Sequence, residues 1–158
     1  MMNEKKSLID IVQNEGRAVT VPVGISMWPM LKNRKNAIVI EKVTKPLKKY
    51  DIPMYIRHDG LDNSDRIILH RIIRINKDGS YIIRGDNLLH KEYDVSDSDI
   101  KGVLTGFYRG QRFIDCESSK MYHAYVYIWN YIFPLRAIIL ILKKTARYIT
   151  RYIIRKRK

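Results

Sequence analysis

The chain has 158 residues, 46% of them apolar, with one cysteine and a formal net charge of +14. This length predicts one domain with a real core, and a single cysteine excludes an internal disulfide and a thiolate metal site; no metal and no other cofactor is expected. The charge is uneven: residues 118–158 hold ten Lys or Arg and no Asp or Glu, and subtracting that +10 from +14 leaves +4 for residues 1–117. The body is too mildly basic to predict a specific nucleic-acid partner, whereas a basic tail with aromatic and apolar residues predicts contact with a membrane surface.

Residues 1–20 lack the long apolar run of a signal peptide. Ser7 and Asp10 have capping-box spacing, with Leu8, Ile11 and Val12 on one face, which predicts a short helix from about Ser7 to a stop at Gly16. That is too short for a helix-turn-helix domain. Runs rich in Val, Ile and Tyr then predict strands at Arg17–Val23, Ala37–Val43, Ile52–Arg57, Arg66–Ile75, Tyr81–Arg84, Ile100–Tyr108 and Gln111–Asp115. Asp78-Gly79 and Arg109-Gly110 read as hairpin turns, and Asp59–Asp65 as a polar loop. The expected fold is mainly β, a coiled antiparallel barrel-like domain over residues 1–117 with a short N-terminal helix. Residues 118–158 follow as a C-terminal amphipathic helical tail, in which Pro134 should break or kink the helix. Lys144, Arg147, Arg151 and Arg155 recur at steps of three or four residues on its basic side.

The chemistry concentrates at Ser26, within Gly24-Ile25-Ser26-Met27-Trp28-Pro29-Met30-Leu31. A serine hydroxyl needs a base within hydrogen-bond reach, and the base needs an orienting partner. His70, inside Ile67-Ile68-Leu69-His70-Arg71-Ile72-Ile73, has apolar flanks that disfavour an imidazolium, as a general base requires. His58, His90 and His123 read as non-catalytic. Asp86, in Gly85-Asp86-Asn87, and Asp94, in Glu92-Tyr93-Asp94-Val95, are the two carboxylates that could orient the histidine. Gly24 lets the chain bend and gives a substrate backbone room, and Pro29 stiffens the segment. Gly24, Ile25 and Pro29 are therefore the expected substrate contacts.

Taken in order, Ser26–Leu31 (Ser-Met-x-Pro-x-Leu), Leu69-His70-Arg71, Arg84-Gly85-Asp86-Asn87 and Ile100-Lys101-Gly102-Val103 resemble the type I signal peptidase and LexA-type peptidase superfamily. Tyr50-Asp51-Ile52 stands where that family has Gly-Asp-Ile/Val. The resemblance covers about residues 17–108, and His70 places it with the histidine-base branch of endoplasmic-reticulum and sporulation type. It implies a serine endopeptidase that takes an extended leader or signal-type peptide, with small residues just before the cut. It further implies Ser26 as nucleophile, His70 as base, Asp94 or Asp86 as the carboxylate, and the backbone N–H groups of Ser26 and Met27 as the oxyanion hole. Two departures stand out. The family's Arg-Gly-Asp after the nucleophile segment is Arg34-Lys35-Asn36 here, and no membrane span precedes the serine.

The alternative is a membrane-surface adaptor with this fold and no catalysis. For the tail, three arrangements compete: an in-plane anchor on anionic lipid, a span over Met121–Leu142, and packing on a protein surface. The expected location is membrane-associated, peripheral on the cytoplasmic face, with the side of the membrane left open by the missing upstream span.

Overall fold

Ser7 opens helix α1 (Leu8–Glu15) through reciprocal bonds. The Asp10 N–H donates to Ser7 Oγ at 3.2 Å and the Ser7 N–H to Asp10 Oδ2 at 3.1 Å, which satisfies two of the donors that a helix start leaves open. The structure is a computed structural model that describes residues 7–59 and 64–156. Most of the expected 59–65 loop lies outside the described residues, as do the side chains of the tail's basic stripe. The chain divides into two units, Met1–Tyr122 and His123–Lys158.

In the first unit, α1 is followed by β1 (Arg17–Thr20), β2 (Ile38–Glu41), β3 (Pro53–Asp59), β4 (Ser64–Leu69), β5 (Arg71–Ile75), β6 (Tyr81–Arg84), β7 (Glu92–Val95), β8 (Ile100–Arg109) and β9 (Arg112–Asp115). All pairings are antiparallel. One sheet runs β1-β2-β8-β3-β4, with β9 also on β8; the other runs β5-β6-β7. The long β8 organises the first sheet. It pairs β2 through Val103–Phe107, β3 through Ile100–Val103 and β9 through Gly106–Arg109. The unit is thus mainly β with antiparallel sheets and a short N-terminal helix, and among the described residues neither sheet closes into a barrel. Among the described residues β1 and β4 each pair on one side only.

Two differences from the sequence reading matter for the site. The expected strand Arg66–Ile75 is two strands, broken at His70, where the chain leaves one sheet and enters the other. A strand at Glu92–Val95 was not expected. Asp94 sits in it at φ 57, and this left-handed residue disturbs the alternation: Tyr93 and Asp94 are both exposed while Val95 is buried. A cluster of Tyr55, Ile72, Tyr81, Ile83 and Val95, with Leu47, packs side chains from both sheets together. Tyr50, standing where the resembled family has Gly, takes φ 81. Its N–H donates to Ile72 O at 2.8 Å, and the Ile72 N–H returns to Asp51 O at 2.9 Å.

The tail forms α2 (Lys120–Tyr131) and α3 (Phe133–Lys156). Pro134 lies in the first turn of α3, where a missing N–H breaks no helical bond. Among the described residues no single helix is long and apolar enough to cross a membrane; Lys120–Tyr131 and Phe133–Leu142 reach that length and composition only as a pair bent by 61°. In the second unit Arg136 lies 3.4 Å over the Trp129 ring and donates to Trp129 O at 3.0 Å, so its charge is held against the aromatic face.

Candidate functional site

Ser26 lies in a turn-rich segment between β1 and β2. Gly24 starts the bend at φ 111, a conformation open to glycine, and its N–H donates to Asn33 Oδ1 at 2.9 Å. Asn36 closes the loop behind: it accepts from the Lys32 N–H at 2.7 Å and donates to Tyr108 O at 2.7 Å. Asn36 therefore fills a structural place in the segment where the sequence departs from the resembled family.

The Gly85-Asp86-Asn87 turn ties this segment to His70. The Asn87 N–H donates to Ser26 O at 2.7 Å, and Asn87 Nδ2 donates to Ile25 O at 3.2 Å. A Cβ on Gly85 would stand 2.9 Å from Ser26 O and 3.0 Å from His70 Nε2. Both groups thus close on one point, and only a residue without a side chain leaves room for it. Ser26 and His70 line the same cavity of about 270 Å³. No hydrogen bond joins Ser26 Oγ to Nε2 in this structure; such bonds are often long before substrate binds.

Thr20–Gly24 and Met27 form one side of the cavity, Ile67–Leu69 the other, and Leu31, Ile38, Ile40 and Met54 also line it. It therefore lies between the segment leaving β1 and the strand β4, the two outer members of the larger sheet. Ile25 and Pro29 do not line it; Ile25 is exposed and meets Asn87 through its carbonyl. Among the described residues the N–H groups of Ser26 and Met27 have no acceptor within the chain, which leaves two adjacent donors available to an oxyanion.

The carboxylate on His70 is neither expected aspartate. Glu92 Oε1 lies 2.8 Å from His70 Nδ1. Asp94, two residues on, is turned to solvent by the left-handed residue in β7. Asp86 is buried against the neighbour of the histidine: its two oxygens accept from Arg71 Nε and Nη2, each at 2.8 Å. Arg71 also donates to Tyr50 O and to the Tyr122 hydroxyl, both at 3.0 Å. Burial alone would lower the Arg71 guanidinium, but the charge and hydrogen bonds of Asp86 outweigh it and hold it above its ordinary value.

Glu92 is partly buried, which alone would raise its carboxyl. Hydrogen bonds from His70 and Tyr55, with the charge of Arg57, more than reverse this and hold it below the usual range. An ionised Glu92 can only accept, so the proton between it and His70 belongs to Nδ1; in the neutral ring the lone pair is then on Nε2. Sequence reasoning missed Glu92 because the strand that carries it was missed. Its signal, an acidic residue entering a Tyr-x-Val segment, was hidden by the polar run around it.

Among the described residues no three His, Cys, Asp or Glu side chains converge to hold a metal ion. The Cys116 thiol is pushed up to about 12, chiefly by burial, and supplies little thiolate at neutral pH. No protein-family model, curated protein or solved structure matches the chain.

Proposed function

We propose that the body is a serine endopeptidase of signal-peptidase-like architecture. The observation that carries this is the Gly85 joint, which holds Ser26 O and His70 Nε2 against one point at the edge of a shared cavity. An extended peptide adds between the segment after β1 and β4, bonding through its backbone and placing side chains in the apolar cavity. Ser26 Oγ attacks the scissile carbonyl as His70 Nε2 takes its proton. The Ser26 and Met27 N–H groups meet the carbonyl oxygen as it gains charge. His70 then returns the proton to the leaving amine, and water hydrolyses the acyl-serine by the same route. In this reading the open edge of the larger sheet belongs to a coiled, barrel-like peptidase body that substrate completes.

A fluorophosphonate or β-lactam probe tests it without a known substrate. The expected product is a covalent adduct on Ser26, lost in Ser26→Ala. In His70→Ala its rate should fall by orders of magnitude, up to roughly 10⁶-fold if the pair acts as a unit. An unlabelled Ser26, or equal labelling in His70→Ala, overturns the reading and favours a non-catalytic adaptor.

The tail is proposed to lie on anionic lipid, peripheral to the membrane. Support comes from its ten basic residues without an acid and from exposed Tyr127, Tyr131, Leu135, Ile138, Ile139 and Leu142. Each surface cation contributes about 1 kcal/mol. The full chain should float with vesicles containing phosphatidylglycerol and dissociate in high salt; equal flotation with purely zwitterionic vesicles would refute the anionic preference.

A further inference from the structure

We infer that Glu92, Tyr55 and Arg57 form a positioning unit that fixes His70 as its Nδ1–H tautomer and aims Nε2 toward Ser26. The inference deepens the peptidase reading, on which only its catalytic consequence rests.

The unit is assembled at the junction of the two sheets. Tyr55 and Arg57 stand two apart on β3, so they share a face. Glu92 comes from β7 in the other sheet, and His70 is the residue between β4 and β5 where the chain changes sheets. Glu92 uses both oxygens: Oε1 meets His70 Nδ1 at 2.8 Å, and Oε2 lies 3.7 Å from Arg57 Nη1. The Tyr55 hydroxyl hydrogen-bonds to Glu92 and lies 3.3 Å from Nδ1. Burial, then Glu92 itself, hold that hydroxyl above its ordinary value, so it remains a donor at working pH. The Tyr55 ring meets the imidazole edge-on, with centroids 6.4 Å apart, and His70 is only 3% exposed.

These contacts do distinct jobs. The ring packing and the Nδ1 bond leave the imidazole one orientation. The Tyr55 donor and the Arg57 charge favour a Glu92 anion, and an anion at 2.8 Å accepts only from a protonated Nδ1. Free histidine prefers its proton on Nε2, which would present Ser26 with a donor instead of a base. The unit therefore selects the form able to accept the serine proton, and it favours the imidazolium formed during attack. None of its three members touches the reacting atoms, so they are positioning residues.

Long-range proton–nitrogen NMR of the full chain with ¹⁵N-labelled imidazoles reads the tautomer directly at neutral pH. The His70 signals are assigned by their loss in His70→Gln. The expected wild-type pattern is a protonated Nδ1 and a bare Nε2. Glu92→Gln should convert it to a mixture or to the Nε2–H form. Glu92→Asp should restore part of the native pattern, and Asp94→Asn should leave it unchanged. With the Ser26 probe, Glu92→Gln should slow labelling by up to about 10⁴-fold. A wild-type His70 protonated on Nε2 overturns the inference without any variant, as does a change in Asp94→Asn that Glu92→Gln does not produce. Failure of the peptidase reading looks different: the Nδ1–H pattern would persist while Ser26 remained unlabelled.

Discussion

His70 and Arg71 are consecutive, and each meets a carboxylate at 2.8 Å, yet they enter different surroundings. Arg71 and Asp86 are sealed, with side chains 1% and 3% exposed, and the guanidinium is also satisfied by Tyr50 and Tyr122. The Glu92 side chain is 11% exposed, and His70 lines the cavity with Nε2 unpartnered among the described residues. The difference teaches that a short ion-pair distance does not define a role. What separates the two pairs is whether every polar atom has a partner. A saturated pair holds structure; a pair with one open nitrogen beside a cavity is available for chemistry.

Stability should show this contrast most strongly. Asp86→Ala leaves a buried guanidinium without its counter-charge and is expected to cost about 3–5 kcal/mol, a large share of a small domain's stability. Glu92→Ala, where water reaches the vacated site, is expected to cost about 1.5–3 kcal/mol. Denaturant midpoints with matched slopes compare the two; equal losses would erase the distinction.

A smaller effect sharpens it through pH. The Glu92 carboxyl is held below its ordinary value in the folded chain, so its stabilising contribution is fully present above the unfolded value. It is lost as pH falls through the folded one. The stability difference between wild type and Glu92→Gln should therefore stay constant from neutral pH down to the ordinary carboxylate range, then shrink in more acid solution. A difference that grew on acidification would contradict the assigned direction.

Much of this site was legible in the chain. The serine segment and the apolar flanks of His70 pointed to two residues that the fold does bring to one cavity, whereas Asp86, expected to orient the histidine, lies on Arg71 instead. The first helix was readable because Ser7 and Asp10 interact locally. The break at His70 was hidden, since both halves of Arg66–Ile75 have strand composition and only the change of sheet divides them. Glu92 was hidden for another reason: β7 is four residues long, and Asp94 in the left-handed region removes the alternation that marks a half-buried strand. Tyr50 is similar. Nothing local announces a left-handed tyrosine; its conformation follows from the backbone bonds that Tyr50 and Asp51 make with Ile72.

The placement of His70 at the crossing between sheets has a mechanical consequence. Its imidazole is the bolt of a joint, with Tyr55 and Arg57 fixed in one plate and Glu92 in the other. Sliding the plates past each other would turn the bolt. Damage to the small β5-β6-β7 plate, even at its rim, would thus detune a ring it never covers.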